Sequence, residues 1–412
     1  MKVLVVGGGS GGHITPAVAV VRKILEKKPR AKIEFWTDKK YYKNVVKITT
    51  EIGVHWGDED KAGSRQNPYI QVRKIKAGKF HRYAGLKLRD YFDEGAKTLR
   101  DVTIGNIVGF FGFTCGVFQA FFRLIGKKNR PDVIFLKGGF VGLPVGIIAK
   151  WFKIPYVVHE SDAVPGLANR LLMKRAKVVA MGSPFDDGIK GRENWEWVGI
   201  PVAAEYKKVS NTAQKQLKRA AGFDPEKPLV IITGGSQGAE HINLAVREIL
   251  PEMLKLSSVG LIAGRKHYED MVDLKKYEEW DKAKLQSNFR MWEFSATMNE
   301  LLGAADVVIS RAGATTIAEL AVLSKPVILV PFEKLPGGHQ SKNAERLERE
   351  GAAVVVPDSK MVEKPELLLE EVKKLIKSDK KREELAAKLN SESKTNAAER
   401  LADILLEITA KA

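Results

Sequence analysis

Twice in this chain a short apolar run enters a glycine-rich turn that opens directly into a helical pattern. The turns are Gly7-Gly8-Gly9-Ser10-Gly11-Gly12 and Gly234-Gly235-Ser236-Gln237-Gly238, 227 positions apart. Glycines let backbone approach a ligand, and the helix that follows aims free N–H groups and its positive dipole end at an anion. Each turn restarts the same alternation of buried strand and amphipathic helix, the grammar of a parallel sheet covered on both faces. Two doubly wound α/β domains are therefore expected, each with its own anion-binding turn.

The first series of predicted strands is Lys2–Val6, Lys32–Trp36, Pro131–Leu136, Pro155–His159 and Val178–Met181, before Trp195–Pro201. Helices are expected from about Pro16 to Lys27 and from about Leu143 to Phe152, with Pro16 near the first helical position. The second series is Leu229–Thr233, Gly260–Ala263, Val307–Ile309 and Val327–Val330, with helices from Ala239 to about Lys255 and over Thr315–Leu323. The expected domains are 1–203 and 204–385, joined near Ile200–Ser210, with a helical tail over 386–412.

A hydrophobic fraction of 44% with 29% charged residues fits globular domains and excludes disordered, collagen-like and disulfide-scaffold classes. Cys115 is the single cysteine, so an internal disulfide is impossible. The opening strand and glycine turn leave no place for a charged-then-apolar leader, so a secretory signal is not expected. The net charge of +18 is concentrated in the first 200 residues, which hold 35 Lys and Arg against 18 Asp and Glu. That asymmetry points to an anionic partner such as a phosphorylated substrate or an anionic membrane. Zinc-finger spacing, heptads and RNA-binding aromatic motifs are missing, so nucleic acid is not expected.

His13 closes the first turn at a helix start, where the positive dipole end lowers its pKa and favours the neutral base. It is the candidate general base. Ser236 adds a hydroxyl to the second turn. Ser310-Arg311-Ala312-Gly313-Ala314-Thr315-Thr316 leaves a strand and enters a helix that Thr315 or Thr316 can cap. Glu319, one turn on, can accept both hydroxyls of a ribose or serve the helix dipole; physics alone weighs the two equally. His339, Gln340 and Asn343 offer side chains to a sugar. One domain holding a diphosphate donor and the other a phosphorylated acceptor, across a cleft, explains both turns. A nicotinamide oxidoreductase uses the first turn alone, with Asp38 on a ribose, and leaves Ser236 and Glu319 without a role.

The ordered set of Gly8 to His13, His159-Glu160-Ser161-Asp162, Gly234 to Ala239, Arg311 to Glu319, and His339-Gln340 with Asn343 resembles the MurG family of glycosyltransferases, in glycosyltransferase family 28. The likeness runs from Met1 to about Pro357 and is weakest over 48–129. It implies a GT-B fold, two Rossmann-like domains facing a central cleft. It also implies inverting, metal-independent transfer of N-acetylglucosamine from UDP-N-acetylglucosamine to an undecaprenyl-linked muramyl-peptide acceptor (lipid I), with no cofactor. A related transferase acting on another membrane lipid, or a non-catalytic nucleotide-sugar sensor, are the alternatives. By motif, Ser236 falls on the diphosphate, Glu319 on the ribose and Gln340 on the donor sugar. Ser295, Ala314, Thr315 and Thr316 fall along the nucleotide, and Ser10, Gly11 and Gly12 at the cleft. His13 matches the base, with Glu160 assisting, and Asp162 lies by the substrate. Two departures stand out. The family usually reads His-Glu-Gln-Asn where this chain has His159-Glu160-Ser161-Asp162, and an arginine associated with the donor is replaced by Ala203, with Lys207 a possible substitute.

Val102–Phe122 is 21 residues without a charge, rich in phenylalanine, with Gly105, Gly109, Gly112 and Gly116 at helix spacing. Basic residues flank it, including Arg73, Lys74, Lys76, Lys79, Arg82, Lys87 and Arg89 before and Arg123, Lys127, Lys128 and Arg130 after. An interfacial anchor on anionic lipid is the favoured reading, over a buried core helix and a true span. The resemblance adds peripheral attachment at the cytoplasmic face of the cell membrane.

Overall fold

Val3–Val6 of β1 (Lys2–Val6) are fully buried because β1 lies inside a sheet covered on both faces. The computed structural model describes residues 1–54, 68–78, 95–184, 193–235, 238–272, 287–333 and 338–410. β1 pairs in parallel with β2 (Lys32–Thr37) on one side and β4 (Val133–Leu136) on the other. With β3 (Ile70–Lys74), β5 (Tyr156–Glu160), β6 (Val178–Met181) and β7 (Trp195–Trp197), the order is β3-β2-β1-β4-β5-β6-β7. The direction of winding reverses between β1 and β4, so the turns leaving these two strands are neighbours at the carboxyl edge.

The second sheet repeats the plan. β8 (Leu229–Thr233), β9 (Ser258–Ile262), β10 (Phe289–Trp292), β11 (Val307–Ser310), β12 (Val327–Leu329) and β13 (Val354–Val355) are arranged β10-β9-β8-β11-β12-β13, in parallel. Here the reversal falls between β8 and β11, and it brings the second glycine turn beside Ser310–Gly313.

The chain forms two compact units, Met1–Ala203 with Thr395–Ala412, and Ala204–Lys394. Each has apolar clusters on both faces of its sheet. Full burial of one such Val, Leu or Ile is worth about 1.5–3 kcal/mol. The segment 386–412, set apart by sequence as a tail, divides between the units. The helix Asp379–Ser391 belongs to the second, whereas Ala397–Ala410 lies on Gly11–Lys27. Leu401, Ala402, Ile404 and Leu405 enter the same apolar cluster as Val3, Val5 and Ile24. Lys27 pairs with Glu399 and Asp403, and Arg400 with Glu196.

The helix Gly95–Leu124 resolves the apolar stretch into two faces. Gly112 and Gly116 lie against the extended chain at Lys76–Gly78. A Cβ at Gly116 would stand 2.0 Å from the Lys76 carbonyl oxygen, and one at Gly78 1.7 Å from that of Gly109. The glycine spacing is therefore a packing groove, and Ala120 and Leu124 continue it into the core beside Trp36 and Ile75. Phe110, Phe111, Phe118 and Phe122 face outward, each more than half exposed. Phe121 meets the rings of Trp151 and Phe152 from the neighbouring helix Gly142–Trp151, and Trp151 is itself exposed.

One local expectation is corrected. The first helix starts at Gly11, so Pro16 lies inside it, where its ring supplies no N–H to the helical ladder. The edge strands β3 and β10 have polar-interrupted sequences such as Ile70-Gln71-Val72-Arg73-Lys74, which lack the continuous apolar run of the inner strands, and the edge strand β13 is only two residues long.

Candidate active site

In the first unit, β1 delivers the glycine turn and β4 delivers Lys137-Gly138-Gly139 to the same edge. Ser10 is the N-cap of the first helix in extended conformation, but its side chain makes no capping bond. Gly11 and Gly12 begin the helix, and His13 follows within the first turn. The turn is held from outside by Asp38, whose carboxylate accepts from Gly9 N at 2.5 Å and from Tyr41 N at 3.1 Å. Asp38 thus braces the loop, a different role from the ribose contact that a nicotinamide site assigns to it.

The His13 ring is partly buried, and its Nδ1 has no hydrogen-bond partner among the described residues. Its other edge lies on Gly139, where an added Cβ would be 3.1 Å from Nε2. Gly138 and Gly139 have φ of +100° and +76°, a left-handed pair that side chains resist. Burial, then the positive charge of Lys137, lowers the His13 pKa to about 3, against the opposing pull of the Lys137 backbone. His13 is accordingly a neutral imidazole at physiological pH, as a base requires.

Glu160, at the end of β5, is buried and fully engaged. Its oxygens accept from Asp162 N at 3.1 Å, Gly166 N at 2.9 Å and Asn169 Nδ2 at 2.8 Å. Burial raises its pKa, with Asp162 adding to the rise and these three bonds opposing it. These bonds make Glu160 the clamp of loop 161–169. Asp162, partly exposed, is carried on that loop.

Sequence reasoning missed Lys137. It is buried to 1% exposure, and its Nζ donates to Ser161 Oγ at 2.6 Å. Burial lowers its pKa to about 8, opposed by Glu160 and Asp162. The one available signal was a lysine ending an otherwise apolar inner strand, Val133-Ile134-Phe135-Leu136-Lys137.

In the second unit, Ser236 and Gln237 lie outside the described residues, so the diphosphate contact assigned to Ser236 has no geometry here. The turn around them is tight. A Cβ on Gly234 would be 2.3 Å from Ala239 N, at the start of helix Glu240–Leu256. The helix Ala314–Leu323 is capped by Gly313 without a side-chain bond, so Thr315 and Thr316 lie within the first turn and do not cap it. Ala314 is its first residue. Its leading N–H groups are directed outward from the carboxyl edge of the sheet.

Glu319 lies on the next turn of that helix, partly buried, with its pKa raised to about 8 by burial. Tyr206 faces it, and burial together with the Glu319 and Glu205 charges holds the phenol above its usual range. Glu319 is the sixth residue of the helix, beyond the first turn where the dipole acts most strongly on a carboxylate.

Gln340, second in the helix His339–Arg349, accepts from Phe332 N at 2.9 Å through Oε1, which fixes the amide. Asn343 is buried and its Nδ2 donates to the Ala312 carbonyl at 3.2 Å. Ser295 is partly buried and its Oγ accepts from Thr297 N at 3.2 Å, in the loop before helix Met298–Ala304. Beneath these groups Arg311 donates to Asp358 and to the Val330 carbonyl, and Asp358 also meets His241 Nδ1 at 2.7 Å. Structure thus brings His13, Lys137 and the Glu160 loop together in one unit, and groups Glu319, Ala314, Thr315 and Thr316 in the other. Among the described residues, no group of three His, Cys, Asp or Glu side chains is placed to hold a metal ion.

Comparison with known proteins extends over both units. The family model described as the glycosyltransferase family 28 N-terminal domain matches residues 3–181, and that of the family 28 C-terminal domain matches 229–401. The UDP-N-acetylglucosamine--N-acetylmuramyl-(pentapeptide) pyrophosphoryl-undecaprenol N-acetylglucosamine transferase of Clostridium kluyveri is 34% identical over 377 residues, 91% of each chain. The protein of the same name from Acetivibrio thermocellus is 32% identical over 412 residues, covering 99% of this chain and 98% of the relative. Among solved structures, MurG of Acinetobacter baumannii matches with a TM-score of 0.66 at 22% identity, over 98% of this chain and 99% of the other.

Proposed function

The chain belongs to glycosyltransferase family 28 and has its two-domain α/β GT-B fold, and we propose that it transfers N-acetylglucosamine from UDP-N-acetylglucosamine to lipid I, forming lipid II in peptidoglycan synthesis. The observation that carries this reading is the match, through both units, to relatives named for this reaction at 30–34% identity. The local geometry supports it. A neutral imidazole stands at a helix start in the first unit, and an uncapped helix start with a ribose-sized carboxylate stands in the second.

In this mechanism His13 takes the proton of the attacking muramyl hydroxyl. The departing UDP is stabilised by the helix starts at Glu240 and Ala314, fixed donors of the kind whose single loss costs about 10²–10³ in rate. Glu319 receives the ribose hydroxyls, and Gln340 holds the loop at Phe332 toward the donor sugar. Glu160 acts through its loop, which positions Asp162. The test is UDP release from UDP-N-acetylglucosamine without added metal, with and without a lipid I analogue in detergent. Acceptor-dependent release, with the disaccharide lipid confirmed by mass, is expected. UDP binding without release would overturn the reading in favour of another acceptor or a sensor.

The partner surface is proposed to be anionic lipid, with the protein peripheral at the cytoplasmic face of the cell membrane. Thr103–Leu124 is long and apolar enough to cross a bilayer, yet its glycine face packs against Lys76–Gly78. Its phenylalanine face adjoins exposed Trp151, and Lys127, Lys128 and Lys150 are exposed nearby in sequence. An apolar face with a positive rim suits interfacial insertion. Flotation with anionic vesicles should be salt-sensitive and should fail for Phe111→Ser with Phe118→Ser. Unchanged flotation would refute the anchor.

A further inference from the structure

A buried lysine in a sheet edge is expensive unless something uses its charge. Lys137 lies at the carboxyl end of β4, and among the described residues Ser161 is the hydrogen-bond partner of its ammonium, at 2.6 Å. Ser161 is one of the positions where the chain departs from its family's pattern, and its short hydroxyl is what meets Nζ. Four titratable groups surround Lys137: Glu160 and Asp162 from the end of β5, whose charges favour the ammonium, and His13 and His159, which the ammonium disfavours as cations. His159 is committed to the Gly199 carbonyl at 2.8 Å. His13 has its Nε2 edge on the Lys137-Gly138-Gly139 turn and a hydrogen bond with the Lys137 backbone, which leaves Nδ1 buried without a partner among the described residues.

We propose that Lys137 is a positioning residue for His13: its buried ammonium, tethered to Ser161, adds to burial in keeping the imidazole neutral and able to accept a proton. The inference rests on the reading of His13 as the base. During turnover the imidazolium formed on His13 stands beside a like charge. It therefore gives up to solvent the proton taken from the acceptor hydroxyl once the new glycosidic bond has formed and UDP has left.

The experiment follows the His13 ring by NMR in full-length protein with labelled histidine, assigned by loss of the signal in His13→Ala. Lys137→Met removes the charge and the donor. Lys137→Gln removes the charge but keeps a donor for Ser161, and Lys137→Arg keeps the charge. In wild type and Lys137→Arg, only a few per cent of His13 is expected to be protonated at pH 4.5. An upward shift of about one unit in Lys137→Met and Lys137→Gln raises that fraction to roughly one quarter. The acidic limb of the kcat/KM profile should move up by the same amount. If Lys137→Met does not fold, Lys137→Gln carries the test. A His13 signal that does not move in the neutral variants overturns the proposal, as does a shift in Met that Gln abolishes, since that assigns the effect to the hydrogen bond. If His13→Ala keeps wild-type turnover, the base reading falls and this proposal with it. Lost turnover in His13→Ala with an unmoved signal refutes the Lys137 role alone.

Discussion

Glu319 should make donor binding depend on pH in a range where carboxylates do not ordinarily titrate. Its carboxyl is raised from 4.5 to about 8 by burial alone, and no donor among the described residues meets it. At pH 7 about nine-tenths of the side chain is therefore protonated. A ribose diol donates to a carboxylate more strongly than to a carboxylic acid, so donor binding has to expel that proton. UDP-N-acetylglucosamine is the right ligand because its diphosphate diester does not titrate nearby. Calorimetry at pH 7 in buffers of differing ionisation enthalpy should find up to about 0.9 proton released per donor bound, falling to roughly 0.2 at pH 8.5. Affinity should rise about tenfold between pH 7 and 9, or about 1.4 kcal/mol. Glu319→Gln should abolish both effects. The same shift acts on stability. Because the folded pKa lies above the unfolded one, the contribution is complete below about pH 4.5 and is lost as pH rises through about 8. Its size is about 2–5 kcal/mol, the lower figure allowing for partial exposure. Glu319→Gln should flatten that slope. Absence of proton release at pH 7, or equal release in Glu319→Gln, would refute the reasoning.

Other expectations concern the first unit. His13→Ala should lower kcat by about 10²–10⁴ while leaving donor affinity within about twofold; a measured wild-type kcat removes His13 from the mechanism. Gly139→Ala forces a side chain into left-handed backbone and against Nε2, so kcat should fall with a loss of about 1–2 kcal/mol in unfolding free energy. Glu160→Gln turns an amide toward N–H donors and should cost about 1–3 kcal/mol of stability, seen as raised hydrogen exchange over 162–169. Gly116→Ala should prevent folding of the first unit, read by loss of soluble protein, because the Lys76 carbonyl cannot retreat from a Cβ 2.0 Å away.

The inner strands were legible because burial on both faces writes continuous apolar runs, as in Val3-Leu4-Val5-Val6 and Leu229-Val230-Ile231-Ile232. The edge strands β3 and β10 were not, because charged residues interrupt their apolar ones, and β13 is too short to stand out. The helix start at Gly11 was missed since glycine is a poor helix former, and its placement there follows from the turn and its ligand chemistry instead. His13 and Glu319 were legible from their distance to a helix start. Glu160 was legible as important, but its three backbone and amide donors, which make it a clamp, depend on how loop 161–169 folds back. Lys137 was invisible for a similar reason: its meeting with Ser161, 24 positions later, is created by the pairing of β4 with β5.

The placement of Ala397–Ala410 has a consequence for how the molecule is made. The first unit borrows part of its apolar cluster from residues encoded after the whole of the second unit, and Thr409 Oγ1 comes within 3.2 Å of Met1 Sδ. A ribosome therefore releases the nascent amino-terminal sheet with a gap in the apolar cluster of Val3, Val5 and Ile24, while the intervening unit, Ala204–Lys394, has every strand it needs before Ala397–Ala410 emerges. Vectorial synthesis thus favours completing the second-encoded unit first and sealing the first-encoded one only when Ala397–Ala410 follows. Any truncation that removes Leu401–Leu405 leaves that gap open for good, an adhesive face on a protein still able to fold its other half.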